Sequence, residues 1–479
     1  MNIRPISAAS RHAFAVLLLA GGIFCSPLRA GAADESLFLN ILPPGNNGYM
    51  TVGESLPYFD DGTLPANFDD QSPLYAALTY AAPGITEAQL TNYFKPAPIG
   101  LSGNPPDAPV PSFIGLSITR DDFGVPNIQA KSRDAAMFGV GWASAADRLF
   151  SMDVARHAGR GRISELVGYD PALIEQDREV YAFAGYDEAD FQQQYDNQLA
   201  TGGGAAKRVD RDITMFVEGI NSFIAKVNNG QIAEPVEYYG LGIDPIPFFT
   251  KTDVLSIAVF LEFLFGAGGG NEHNNAAFLA KLQTNLGAGP GESLWRDLRS
   301  AEEPDAPVTT DLSFPYLIQG PVDDNAVAIP DTGSVVGHDA VEVLGPLPAG
   351  MSSAATGTVS SFVRASGPPS MSNFVAVTGE NAVGGHPILV GGPQTSYLVP
   401  ELLYEFSVNG GGFKTRGVAP IGSPYVVLGR GRNYAFTATA GGSDNTDVRV
   451  ELLCNQDASP PTINSTSYMF HGVCTPMFE

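Results

Sequence analysis

The apolar positions change period near residue 300. Before it they recur every three to four residues. Ile213, Phe216, Val217, Ile220, Ile224 and Val227 form one apolar stripe and predict an amphipathic helix. Residues 132–168 predict helix as well, with Ala135, Phe138, Val140, Trp142, Leu149, Met152 and Val154 on apolar faces, and with Gly159, Gly161 and Gly168 interrupting or ending it. A third helix, capped by Thr252 or Asp253, is apolar nearly all round through Phe265, so it is expected to be buried. It stops at the run Gly266-Ala267-Gly268-Gly269-Gly270, and another helix starts near Glu272. Ahead of this helical block, Ser117–Gln129 predicts two short strands joined at Asp122-Phe123-Gly124. Residues 36–112, rich in Pro, Gly, Asn and Asp, read as an extended arm with one short helix near Glu87–Tyr93.

After residue 300 the helical period is lost. Glu302 to Gly367 is rich in Pro, Gly, Ser and Ala, as expected of a linker, a lid or an excised peptide. From Ser372 onward short apolar runs predict strands at Phe374–Thr378, Pro387–Val390, Tyr404–Val408, Tyr425–Leu428, Tyr434–Thr439 and Val448–Leu453, separated by Gly and Pro. The chain is therefore expected to be helical first and β later.

Composition narrows the function classes. The chain has 479 residues, and its 51 acidic against 26 basic residues give a net charge of −25. Such a surface repels phosphate backbones, so no nucleic-acid partner is expected. Arg4 and Arg11 precede an apolar stretch from Ala13 to Cys25, and Ala30-Gly31-Ala32 offers a small-x-small cleavage site. Residues 1–32 thus read as a secretory leader, and no segment is long and apolar enough to span a bilayer. A periplasmic or secreted location is expected. Removal of the leader leaves Cys454 and Cys474, which in an oxidising compartment tend to pair; the alternative is two buried free thiols.

The chemistry concentrates at Met371-Ser372. A small hydroxyl residue stands at the mouth of an apolar β run, directly after the loose Leu344–Ser370 stretch. That is the layout of a precursor cut before a serine. A serine so freed carries its own α-amine, whose pKa of about 7.7–8.0 lies near working pH, so one residue supplies nucleophile and base. The plainer reading is a surface serine opening an ordinary strand. Other hydrolase signatures are missing: there is no Gly-x-Ser-x-Gly, no His-Glu-x-x-His and no phosphate loop, and the six histidines are scattered.

Several segments, in order, resemble the penicillin acylase (penicillin amidase) family of N-terminal nucleophile hydrolases. Ile118-Thr119-Arg120-Asp121-Asp122-Phe123-Gly124-Val125-Pro126-Asn127-Ile128 resembles the family's opening strands. Asp147 to Asp153 and Gly161 to Gly168 resemble its first helix. Met371-Ser372-Asn373 is similar to its processing site, Gly391-Gly392-Pro393-Gln394 to the loop beside its nucleophile, and Thr439 to Asp447 to its oxyanion and metal loop. The resemblance implies an α+β fold of the four-layer αββα sandwich type and a hydrolase acting on linear amides. It implies that Ser372 attacks the amide carbonyl, that Gln394 helps hold the amine through its backbone, and that the Ala440 N–H is an oxyanion donor. It also implies one structural Ca²⁺ held by Glu272, Asp444, the Thr446 carbonyl and Asp447, all hard oxygen donors.

The same resemblance implies self-cleavage at Met371–Ser372 into α and β chains that form a heterodimer. The expected division is 1–32 leader, 33–112 arm, 113–320 helical α-chain region, 321–371 spacer and 372–479 start of the β chain. Family members run on for several hundred residues past the nucleophile, so the expected sandwich is C-terminally truncated and lacks the family's catalytic asparagine. Thr395, Leu428 and Gly266 stand where penicillin G acylases carry aromatic acyl-pocket residues, so the expected small-molecule substrate is an N-acyl amide whose acyl group ranges from a β-lactam side chain to that of an acyl-homoserine lactone. The alternative from another class is a non-catalytic, calcium-stabilised secreted scaffold or binding protein, or an inactive fragment of the acylase.

Overall fold

In the computed structural model the residues described are 39–40, 51–63, 84–86, 88–89, 95–100, 111–266, 272–298, 372–392, 402–440, 452–462, 464–470 and 472–477. They fall into two compact units, Met1–Gly266 with Ser353–Gly441, and Ala267–Ser352 with Gly442–Glu479. The expected leader (1–32), most of the arm, and the expected spacer (321–371) lie outside the described residues, as does most of the expected 87–93 helix.

In the first unit, β3 (Leu116–Arg120) and β4 (Pro126–Ala130) form the expected hairpin. Its turn is closed by Asp121, whose Oδ1 accepts the Phe123 and Val125 amides at 3.0 Å each, and Gly124 takes φ +73°. β4 pairs in parallel with β7 (Leu403–Gly410), nearly 300 residues later in the chain. β7 turns back as β8 (Phe413–Pro420) through Gly411 and Gly412, both at positive φ, the geometry of a tight two-residue hairpin loop. β9 (Leu428–Arg430) and β10 (Ala435–Phe436) complete a mixed six-stranded sheet, in the order β10-β9-β8-β7-β4-β3. β9 and β10 begin one to three residues later than the sequence pattern predicts, and β8 was not predicted at all.

Against one face of this sheet packs α2 (Arg133–Ala158), the 26-residue helix that the 132–168 pattern foretells. Ser132 caps it, its Oγ accepting the Ala135 amide at 3.1 Å, and Gly159 ends it. α3 (Ile163–Val167) follows and ends at Gly168. Two further helices, α4 (Pro171–Phe183) and α5 (Glu188–Thr201), each start on an aspartate cap, Asp170 and Asp187.

α6 (Gly203–Asn228) lays its predicted stripe on α2: Ile213, Phe216, Val217, Ile220, Ile224 and Val227 are all buried. The two helices approach closely because a Cβ at Gly141 would run into the Phe216 carbonyl, and one at Gly219 into the Phe138 carbonyl. Beside that contact the rings of Trp142 and Phe223 meet edge to face, 5.4 Å apart. The short α7 is Val236–Leu241. α8 (Lys251–Phe265) is buried as expected over most of Thr252–Phe260 and half-buried from Leu261 to Phe265, and its cap is Thr250, two or three residues earlier than predicted. Asp253 instead closes a capping box, its Oδ2 accepting the Thr250 amide at 2.7 Å.

Part of the arm belongs to this unit. It contributes α1 (Val52–Asp61), a helix the sequence pattern did not predict, and the two-stranded pairing of β1 (Leu39–Asn40) with β2 (Lys95–Pro96). Thr51 bridges to Pro235 at the start of α7.

The second unit holds α9 (Glu272–Leu286) packed on α10 (Ala288–Leu298). It also holds a three-stranded meander of β11 (Leu453–Cys454), β12 (Ser467–Phe470) and β13 (Val473–Pro476). The Cys454–Cys474 disulfide ties its outer strands, with Cα atoms 6.0 Å apart. The disulfide pairing is the one the cysteine count predicts. The described residues are thus mixed helix and sheet, an α+β architecture.

Candidate active site

Ser372 is half-buried and immediately precedes β5 (Asn373–Val377). β5 pairs antiparallel with β6 (Ile388–Gly392), Asn373 standing opposite Gly392. β-branched and aromatic residues at Phe374, Val375, Val377, Ile388 and Val390 favour these strands locally. The serine therefore sits at the mouth of a hairpin whose return strand runs toward Gln394, which lies outside the described residues.

The hairpin meets the edge of the six-stranded sheet at β10. The contact is close: a Cβ at Gly391 would lie 2.5 Å from Thr437 Oγ1 and 2.9 Å from Thr437 Cβ, so only glycine allows this approach. Thr437 is three residues ahead of Ala440, which is half-buried and described. The structure thus brings the strand pair that starts at Ser372 beside the segment that leads to Ala440. Thr437 Oγ1 is buried without a hydrogen-bond partner. The sequence pattern passed over this threonine, because in Thr-Ala-Thr-Ala it reads only as strand; the sole signal was the bare Gly391-Gly392 pair facing it.

Of the expected acyl-pocket positions, Leu428 opens β9 and Gly266 caps the C-terminus of α8, while Thr395 is outside the described residues. Of the expected metal ligands, Glu272 is the first residue of α9 and its side chain is not described; Asp444, Thr446 and Asp447 lie outside the described residues. Among the described residues no group of three His, Cys, Asp or Glu stands as a metal site. The donor set itself, three carboxylates and a carbonyl, suits a hard cation such as Ca²⁺.

Charged residues of the opening-strand and first-helix motifs do structural work. Arg120 bridges to Asp147 at 2.8 Å, and Asp147 accepts the Tyr404 hydroxyl at 2.6 Å, joining β3, α2 and β7. Burial first, and then the Asp147 charge, push the Tyr404 hydroxyl well above its ordinary pKa, so it stays a donor. Arg156 is held by Asp153 at 2.7 Å and Asp253 at 3.1 Å, and Asp153 also accepts Tyr238 at 2.9 Å. Burial is the largest influence on Asp153 and works against its ionised form, yet bonds from His157 and the charge of Arg156 outweigh it and leave its pKa lowered. Arg133 and Tyr425 share Asp212 in the same way. Each tyrosine reads as apolar in the sequence, so these partners were not foreseen.

The family model for penicillin amidase matches residues 116–479, from the first residue of β3 onward. The chain belongs to the penicillin amidase family. Penicillin G acylase from Escherichia coli is 25% identical over 353 residues, covering 71% of this chain and 40% of that protein. Penicillin acylase 2 proenzyme from Pseudomonas sp. (strain SE83) is 30% identical over 141 residues, or 16% of its own length. The acyl-homoserine lactone acylase QuiP from Pseudomonas aeruginosa is 31% identical over 124 residues, or 13% of its length. The chain therefore spans 40% or less of each of these curated relatives. Among solved structures, a thermostable penicillin G acylase from Alcaligenes faecalis matches at 27% identity and TM-score 0.35 over 42% of this chain. No described helix is long and apolar enough to cross a membrane.

Proposed function

We propose that this family member is the precursor of a secreted acylase whose nucleophile is Ser372. The observation that carries the reading is the position of Ser372: half-buried, at the head of β5, with the hairpin pressed onto the β10 segment that leads to Ala440. In maturation the Ser372 hydroxyl oxygen adds to the Met371 carbonyl carbon, the peptide C–N bond breaks, and water hydrolyses the resulting ester. Met371 keeps a carboxylate and Ser372 gains a free α-amine. In turnover that amine takes the proton from the hydroxyl as the oxygen attacks the substrate amide. The amide nitrogen leaves protonated, and water then releases the acyl group from the serine. Ala440 N–H donates to the developing oxyanion, a contribution of roughly 10²–10³ in rate. Gln394 holds the amine through its backbone.

The substrate class is an N-acyl amide, with the relatives' two names, penicillin acylase and acyl-homoserine lactone acylase, marking the range of acyl groups. The fold completed by such an enzyme is the αββα sandwich, with α and β chains held together as a heterodimer outside the cytoplasm. Glu272, Asp444, the Thr446 carbonyl and Asp447 would hold one Ca²⁺, which supplies charge neutralisation among three carboxylates and plays no part in acyl transfer.

N-terminal sequencing of the mature small chain is expected to read Ser-Asn-Phe-Val-Ala, and Ser372→Ala is expected to leave the precursor uncut. A different start, or unchanged processing in Ser372→Ala, removes Ser372 from the role.

A further inference from the structure

The face of the six-stranded sheet turned away from α2 carries an unusual row of side chains. Arg430 pairs with Arg416 across β9 and β8, and Arg416 pairs with Ser407 across β8 and β7, so all three project from one face. Asn409 and Gln129 form the next row, their amides 3.0 Å apart. Two like charges side by side in a sheet repel. Arg416 is only 1% exposed, and it is offset by Glu405 and Asp121, each at 2.9 Å. Those two partners use Nε and Nη2. Nη1 is left over, and a buried guanidinium donor needs an acceptor.

The acceptor comes from the arm. Arg416 Nη1 donates to the Pro98 carbonyl at 3.1 Å, and Arg430 Nη2 donates to the Ala97 carbonyl at 2.6 Å. The Gly100 amide donates to Ser407 Oγ at 3.2 Å. All three bonds reach main-chain atoms. Ala97 and Ile99 are buried, although they belong to a segment rich in turn formers. Gly100 takes φ +81°, and a Cβ there would meet Gln129 Nε2 at 3.0 Å and Asn409 Nδ2 at 3.1 Å. The family match begins at residue 116, so this strap lies outside it.

We infer that this polar face is a docking surface for an extended peptide, recognised through its backbone carbonyls and a glycine in its fourth position, and that Ala97–Gly100 is its resident occupant. The strap is held by the face itself and not only by the chain that connects it to β3. Two of these three bonds come from cations, the stronger kind of hydrogen bond. The surface is preorganised: Glu405 and Asp121 fix Arg416, the Gly431 carbonyl accepts from Arg430, and both guanidiniums stand on a paired sheet, so their demand for acceptors exists before the strap arrives.

The test uses the full 479-residue chain with a protease site inserted between Gly100 and Pro111. After cutting, the N-terminal fragment is expected to co-elute with the remainder in size-exclusion chromatography at physiological salt. Arg430→Met combined with Ser407→Ala removes the bonds to the Ala97 carbonyl and the Gly100 amide while leaving Arg416 with its carboxylates, and is expected to lower the retained fraction about tenfold. Gly100→Val is expected to do the same. Release of the fragment from the unaltered cut protein overturns the inference. Equal retention in all variants also overturns it, because the arm would then be held by its Thr51–Pro235 bridge instead. Amide exchange in the intact chain gives an answer that needs no variant: slow exchange at Gly100 supports docking, and exchange at the unprotected rate refutes it.

Discussion

The α2–α6 pair and the β5–β6 hairpin are built on opposite principles, although both belong to the first unit. In the helix pair, apolar side chains are buried on both partners and two glycines let the backbones nearly touch. In the hairpin, Phe374, Val375, Ile388 and Val390 are all about half exposed or more. The helix pair is thus fixed by its own packing. Among the described residues, the hairpin that Ser372 opens has its ladder and a close approach to the sheet edge, Gly391 on Thr437. If Ser372 is the nucleophile proposed above, it opens an element whose described side chains are mostly exposed, so its position is more easily altered than that of the helix pair without unfolding the body beneath.

The sharpest way to break this contrast is at the glycines of the helix pair. Gly141→Ala places a methyl against the Phe216 carbonyl, a backbone atom that moves only if the helices separate. Overpacking of a dense core costs 1–3 kcal/mol and occasionally more. Here a loss of at least about 3 kcal/mol is expected, read as a large fall in melting temperature or in soluble yield. A melting temperature within a degree of the parent would show that the pair is not packed as described.

A second test concerns the body's only strongly raised carboxyl among the described residues. Glu237, in α7, has one oxygen buried without a hydrogen-bond partner, and burial lifts its pKa from 4.5 to about 7. The unfolded chain loses this proton first as pH rises. The folded state is therefore favoured most below the unfolded value, and that contribution is lost between roughly pH 4.5 and 7. The loss is on the order of 3 kcal/mol. Glu237→Gln should flatten the stability profile over that window, monitored by urea melts at half-unit steps. A profile identical to the parent's would rule out Glu237 as its source.

How much of this was legible depended on whether one residue type had one role. The stripe Ile213–Val227 was readable because apolar side chains at helical spacing have one use, and every member is buried. The disulfide was readable because only two cysteines remained to pair. The cap of α8 was misplaced because Thr250, Thr252 and Asp253 are all capping types; the structure gives the cap to Thr250 and the reciprocal bond to Asp253. β8 was missed because Lys414, Thr415 and Arg416 look like surface, whereas Arg416 is buried by two carboxylates and a strap. At the candidate site, the context of Ser372 in the sequence singles it out, whereas Thr437, which meets Gly391 of the same hairpin, is marked only by the bare Gly391-Gly392 pair.

The smallest expected effect tests the hairpin side of the comparison. Val390 is 60% exposed and stands opposite Val375, itself 58% exposed, on the face of the hairpin away from Thr437. Replacing it with threonine keeps β-branching and therefore strand preference. It removes one methyl that already faces water. Exposed substitutions of this kind usually fall within about 0.5 kcal/mol. The same change at Val140, fully buried in α2, puts a hydroxyl into the core and is expected to cost several times more. Paired melts of Val390→Thr and Val140→Thr measure the contrast directly. If Val390→Thr proves as costly as Val140→Thr, the outer face of the hairpin is covered in solution, and the strand that Ser372 opens is held far more firmly than its exposed surface implies.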